Sequence, residues 1–201
     1  ISPLEGEMSG RTEGGALMPT VNAEPATRRP ILVGRQTAAP NATVTVAPPA
    51  SRLSLRAPSE SVAALSSALG LTLPTKPKTT ASANARHALW LGPDEWLVID
   101  ETGADLAALL KPVTTFHSAV DVSHRNAAFV VSGKGAATAI NAGCPQDLSL
   151  AAFPAGAASR TILHKIEIVL FRTGDDEFRV ECWRSFADYA FTFLTEAARD
   201  A

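Results

Sequence analysis

Apolar positions along this chain fall into two regimes, one without period before residue 52 and one with strand or helix periods after it. Arg52-Leu53-Ser54-Leu55-Arg56 alternates polar and apolar, the mark of a half-buried strand. Ser59 can then cap a helix with Val62, Leu65 and Leu69 on one face and Gly70 just past its end. Residues 74–85 read as a polar loop or linker. His87 to Leu91 and Trp96 to Ile99 read as strands. Between them, Gly92-Pro93-Asp94-Glu95 is turn chemistry, because proline pre-sets φ and Asp94 can bond nearby backbone. Thr102, with Asp105 three residues on, resembles a capping box. Its helix carries Leu106, Leu109 and Leu110 and stops at Pro112. Phe116 to Val122 closes this half as a strand, giving βαββαβ.

The second half nearly repeats that order. Ala127 to Val131 is a strand, and Gly135 to Ala142 a helix ending at Gly143, with Pro145 beyond. Thr161 to Arg172 reads as one long β-branched strand. Gly174-Asp175 turns the chain into Phe178 to Trp183. Ser185 with Asp188 is expected to cap a last helix, whose apolar stripe runs Phe186, Tyr189, Ala190, Phe193, Leu194 and Ala197. This half reads βαβββα. The expected fold class is therefore α+β, with two tandem βαββαβ units of ferredoxin-like type. Strict sequence repetition is absent, so the duplication is one of topology.

Residues 1–50 follow none of these periods. All twelve aromatics lie at or beyond Trp90, while half of the fourteen prolines lie at or before Pro49. Such a segment buries too little apolar surface to offset its ordering entropy, so 1–50 is expected to be a disordered tail and 51–201 the folded domain. Ile31-Leu32-Val33 is too short for a signal-peptide core. Glu5, Glu7, Glu13 and Glu24 disfavour an organelle transit peptide. The first residue is Ile1, with Met8 and Met18 soon after. One reading is an over-extended start, with the natural one at Met18.

Charge excludes more than it suggests. Eighteen Lys and Arg against twenty Asp and Glu leave −2, neither a basic field for nucleic acid nor an acidic solvating tail. Cys144 and Cys182 are too few for a disulfide framework and fit a reducing cytoplasm. No apolar run approaches the roughly 20 residues that span a bilayer.

Catalytic patterns are largely missing. Gly133-Lys134-Gly135 sits where phosphate loops sit, between strand and helix. It lacks the upstream glycine and the hydroxyl residue after the lysine, so a turn-and-cap role is the expectation. His117 and Asp121 share a strand face, but His124 points away, which disfavours a metal site. There is no G-x-S-x-G elbow. Cys144 and Cys182 read as packed thiols, and the pairs Asp94/Glu95 and Asp175/Asp176 as solvated turns. What stands out is a set of aromatics (Trp90, Trp96, Trp183 and Phe186) accompanied by Arg125, Arg172, Arg179 and Arg184. Trp and Arg are favoured interface anchors, although core packing explains many aromatics equally well.

Three stretches carry a resemblance. They are Ala88-Leu89-Trp90-Leu91-Gly92-Pro93-Asp94-Glu95-Trp96-Leu97-Val98-Ile99; Val120-Asp121-Val122-Ser123-His124-Arg125 running on to Gly133; and Gly143-Cys144-Pro145-Gln146-Asp147-Leu148 followed by Phe153-Pro154, Thr161 and Arg184-Ser185-Phe186-Ala187-Asp188-Tyr189. In this order and spacing they resemble the gamma subunit of heterotetrameric sarcosine oxidase, from about Arg52 to Ala198. The resemblance implies a noncatalytic subunit with a fold similar to the folate-binding domain of the glycine-cleavage T-protein. It implies a complex that oxidises sarcosine with oxygen to glycine and hydrogen peroxide and passes the one-carbon unit to tetrahydrofolate. FAD, FMN, NAD, zinc and tetrahydrofolate would belong to other subunits. The alpha subunit would be the direct partner, with beta and delta subunits in the same complex. Trp96, Arg125 and Arg184 are candidate interface anchors, chosen by residue type. The alternative is a free-standing folate-binding protein of T-protein type; a structural or regulatory module is a further one.

Overall fold

The computed structural model describes residues 31–32 and 34–201, together with the backbone of two short paired strands, β1 (Glu7–Met8) and β2 (Arg11–Thr12). The rest of 1–30, including the Met18 start, lies outside the described residues.

Two antiparallel sheets face each other, each carrying its helices on the outer side. The first unit runs β5 (Ser51–Arg56), α1 (Val62–Leu69), β6 (Thr80–Ala83), β7 (Arg86–Gly92), β8 (Glu95–Asp100), α2 (Leu106–Leu110) and β9 (Ser118–Asp121). Its strands lie in the order β6-β7-β8-β5-β9. The second runs β10 (Asn126–Ser132), α3 (Ala136–Asn141), β11 (Ala158–Leu163), β12 (Ile166–Gly174), β13 (Glu177–Trp183) and α4 (Ala187–Arg199). Its sheet is β11-β12-β13-β10-β4-β3, with β3 (Gln36–Ala38) and β4 (Thr43–Val46) supplied from upstream.

The two orders superimpose as β6-β7-β8-β5-β9 on β11-β12-β13-β10-β4. The duplication is thus real in topology, with one change. The fifth strand of the second sheet comes from the N-terminal segment and does not follow α4. This corrects the tail boundary. Within the expected tail, residues 36–38 and 43–46 are sheet strands, and Val44 is buried in the second core. Thr43-Val44-Thr45-Val46 alternates with β-branched residues, a local signal that the average composition of 1–50 conceals.

Alternation along each strand sorts its side chains into two layers. Leu53, Leu55, Ala88, Trp96 and Val98 face α1 and α2. Phe129, Val131, Ile168, Leu170, Phe178 and Val180 face α3 and α4. The opposite faces meet between the sheets through Leu89, Leu97, Ile99, Ala158 and Phe171.

Several local expectations change. Residues 74–85 include an edge strand, β6. The expected strand 161–172 is a hairpin, because His164 adopts φ +54° and reverses the chain between β11 and β12. A run of β-branched residues does not reveal that reversal. Thr102 does not cap α2. It bonds Asp100 Oδ1 at 2.5 Å, and Asp105 is itself the cap, accepting from the Ala108 N–H at 3.0 Å. Ser185 and Asp188 do not cap α4 either; the helix grows from a 3-10 turn, Arg184–Phe186, and Asp188 pairs with Arg35 at 2.9 Å. The buried face of α4 is Ala187, Ala190, Phe191, Leu194, Thr195 and Ala198, rotated from the expected stripe. Phe186 and Tyr189 are left outside.

Candidate interaction surface

Strand β13 places Phe178, Val180 and Cys182 toward the helices, so Arg179, Glu181 and Trp183 project from its other face. The first two are buried between the sheets. Glu181 takes Arg52 in a two-pronged pair, Nε to Oε2 at 2.6 Å and Nη2 to Oε1 at 3.1 Å. Arg179 Nε donates to Glu181 Oε1 at 2.8 Å, and its Nη1 to Glu101 at 2.9 Å. The Arg52 N–H also donates to Ser123 Oγ at 2.8 Å. This chain of charge locks the first sheet to the second. Arg172 has a similar structural role: its Nη1 donates to the carbonyls of Leu148 and Phe153, both at 2.8 Å.

Trp183, at the strand end, escapes the layer and is 46 % exposed. The Arg125 guanidinium lies 5.4 Å from its ring centroid, a cation–π approach. Phe186, 40 % exposed, stacks on Trp183 with centroids 6.3 Å apart. Tyr189 lies one helical turn on, 37 % exposed, with its hydroxyl bonded to His164 Nδ1; the His164 ring stacks on Phe193 at 5.6 Å. The Arg184 N–H donates to the Arg125 carbonyl at 2.6 Å, which joins the backbones of the two arginines beside the tryptophan. Beside them opens a cleft of about 170 Å³ bordered by Ile31, Val46, Pro48, Pro49, Ala127 and Arg184. That is below the ~300–1,000 Å³ typical of small-molecule sites.

Two of the three residues singled out from sequence, Arg125 and Arg184, are therefore brought together at the surface. Trp96 is not: it is 1 % exposed, fills the core under α1 and α2, and its Nε1 donates to the Pro74 carbonyl at 2.7 Å. Trp96 is the second residue of β8, and the strand's alternation turns it toward the helices while Leu97 faces the other sheet. The tryptophan that ends its strand, Trp183, is the exposed one, and that position was the available signal.

Other candidate groups are engaged within the protein. Burial pushes the Cys182 thiol up to about 12, so at neutral pH it is not a nucleophile. Cys144 is buried, with Sγ 3.7 Å from Thr161 Oγ1. In the Gly133-Lys134-Gly135 turn, the Gly135 N–H donates to the Asn41 carbonyl at 2.8 Å and the Gly133 N–H to Asp176 O at 2.9 Å. Gly133 has φ +112°, and a Cβ there would run into Asn41 O. The glycines serve close packing of β4's lead-in against the turn. His117 Nδ1 bonds the Thr115 carbonyl, and Asp121 accepts from the Ser123 N–H. Among the described residues no three His, Cys, Asp or Glu side chains gather to hold a metal. None of the described helices is long and apolar enough to cross a membrane.

Comparison with known proteins agrees with this architecture. Residues 56–200 match the model of the sarcosine oxidase, gamma subunit family. The sarcosine oxidase gamma subunit of Corynebacterium sp. strain P-1 is 34 % identical over 138 residues, covering 67 % of this chain and 68 % of that protein. The gamma subunit of an Arthrobacter species is 33 % identical over the same length and shares. Among solved structures, a chain of the heterotetrameric sarcosine oxidase of Corynebacterium sp. U-96, in complex with pyrrole 2-carboxylate, aligns with a TM-score of 0.77. That alignment has 29 % identity and covers 82 % of this chain and 88 % of that one. The glycine cleavage aminomethyltransferase T of Bartonella henselae aligns with a TM-score of 0.57 at 17 % identity, over 80 % of this chain and 49 % of that one, and so shares the fold. By the span of the family match and the identity to its curated members, this chain belongs to the sarcosine oxidase gamma subunit family.

Proposed function

We propose that this chain is the gamma subunit of a heterotetrameric sarcosine oxidase, a cytoplasmic complex, and that it works by docking on the alpha subunit without a catalytic residue of its own. The observation that carries this reading is the near full-length alignment with a chain of the Corynebacterium complex. The surface built from Arg125, Trp183, Arg184 and Phe186 supports it, because rigid aromatics held by arginine are the residue types that anchor protein interfaces. The buried thiols and the protein-bound N–H groups of the glycine turn are consistent with a supporting role. The chemistry, oxidation of sarcosine with transfer of its one-carbon unit to tetrahydrofolate, would lie with FAD, FMN, NAD and zinc on companion subunits. The free-standing folate-binding alternative is less well supported, because the curated relatives and the aligned solved chain are subunits of sarcosine oxidase.

The test is affinity purification of the tagged chain from its host, with mass spectrometry and an absorbance spectrum. The expected result is a yellow assembly containing larger companion subunits that oxidises sarcosine. A colourless chain of about 21 kDa alone would overturn the reading.

A further inference from the structure

We infer that the outer edge of β9, at Ser118–Val120, is the seat of an extended segment from a companion subunit, which adds to the first sheet as its sixth strand. The argument starts from the mismatch between the two units. The second sheet has six strands and the first has five. In the second, β3 lies outside β4, pairing Gln36, Thr37 and Ala38 with Thr45, Val44 and Thr43. In the first, no described strand lies outside β9, which is the topological equivalent of β4.

The hydrogen-bond phase of the two strands is the same. The Val122 N–H donates to Arg52 O at 2.9 Å, just as the Ala47 N–H donates to Ala128 O at 2.9 Å. Counting back through each antiparallel ladder, Ala119 stands where Val44 stands. Both therefore turn their backbone N–H and C=O away from the sheet centre. Val44 faces Thr37 there; Ala119 faces no strand among the described residues. Three further features mark this edge. Val120 is 53 % exposed and Phe116, two residues before the strand, is 83 % exposed. The strand carries no bulge, proline or lysine, and its one charge, Asp121, lies at its end beyond Ser118–Val120. At the other edge of the first sheet, β6 is tied to the second unit by Thr80 Oγ1 donating to Gly156 O at 2.6 Å.

The occupant follows from continuity. β9 leads within four residues into Arg125, so the open edge and the arginine–tryptophan surface are neighbouring stretches of one connection. The inference rests on the gamma-subunit reading, in which a companion already covers that surface. The incoming segment needs at least three extended residues, antiparallel to β9, with an apolar side chain opposite Val120. Main-chain bonds fix its register and the flanking side chains choose it.

The experiment uses the full complex, co-expressed with its companion subunits. Val120→Lys places a charge on an exposed edge position and leaves the core untouched. Ile162→Lys, on exposed β11, is the matched control. The expected result is that V120K loses the companions in a pull-down while I162K retains them at the wild-type level. Exchange of the Ala119 amide should be rapid in the chain alone and slowed about tenfold or more in the complex. If wild type brings no companion, the gamma-subunit reading fails and the strand with it. If wild type and V120K assemble equally, the strand alone fails. An Ala119 amide already protected in the chain alone overturns the inference in favour of this chain's own N-terminal residues. A dimer of the chain that V120K splits overturns it in favour of a second copy.

Discussion

The N–H of Arg184 donates to the carbonyl of Arg125 across 2.6 Å, tying the start of the α4 turn to the connection between β9 and β10. That bond holds the backbone next to Trp183 against the connection whose Arg125 guanidinium lies 5.4 Å from the Trp183 ring centroid. A ring so held loses little freedom on binding, which is why such residues dominate interface energies. Trp183→Ala should weaken assembly by about 2 kcal/mol, roughly 30-fold, while the urea midpoint of the chain stays nearly unchanged. Arg184→Ala should also weaken assembly without altering the chemistry of complex already formed. Titration of the variant against the companion subunits, with turnover of the recovered complex, checks both. Unchanged affinity of the Trp183 variant would remove this surface from the interface.

Glu181 behaves differently because its charge is buried. It is shared by Arg52 and Arg179, and its removal would leave the buried Arg52 guanidinium without a counter-ion and Arg179 with only the half-exposed Glu101. Glu181→Ala should cost about 3–5 kcal/mol in stability. Glu101→Ala breaks the outer bond of the same chain, but Glu101 is half exposed and water can replace it. Its cost should be below about 1 kcal/mol. Urea unfolding of the two variants gives the comparison, and equal losses would refute the distinction.

Sequence pattern revealed most of the folded core, because β5 and β13 alternate polar and apolar residues and β8 and β10 are short apolar runs. It failed where geometry depends on distant partners. Nothing near Thr161 signals that His164 turns the chain, because that turn is fixed by the His164 N–H bonding Gly143 O at 2.7 Å. The rotation of α4 is likewise set by the sheet beneath it. Trp96 lies on the helix-facing side of β8 and Trp183 on the other side of β13 at its very end, and face and strand position together separate core from surface.

The largest miss concerns the N-terminal segment, and it gives a direct test. A short strand in a proline-rich stretch looks too weak to order itself, and alone it would be. β4 orders because Phe129, Val130, Val131 and Ser132 of β10 offer it a template, and Val44 then covers Phe129 and Val131 in the second core. Trimming the chain to begin at Ser51 would expose the edge of β10 and part of that core. The trimmed chain should unfold at lower urea or aggregate, whereas one beginning at Ile31 should match the full chain. Equal stability of the two trimmed chains would show that β3 and β4 are dispensable.

His87 adds a pH dependence that belongs to the layer between the sheets. Its ring lies 5.4 Å from Phe171, and Nδ1 shares a 2.8 Å hydrogen bond with Ser82 Oγ. Burial lowers its pKa below the usual 6.5, and the Arg179 charge adds to this against the opposing pull of Glu101 and Asp100. The unfolded chain therefore binds this proton more readily than the folded one. The neutral ring's contribution is complete above about pH 6.5 and declines as pH falls toward the lower folded value. His87→Gln keeps a polar side chain that cannot titrate. Its stability difference from wild type should be constant above pH 7 and shift in the variant's favour as pH falls to 5. Carboxylates shared by both proteins cancel in that difference. Urea midpoints measured across this range read it directly, and a flat difference would mean that His87 accepts a proton equally well in the folded and unfolded chains.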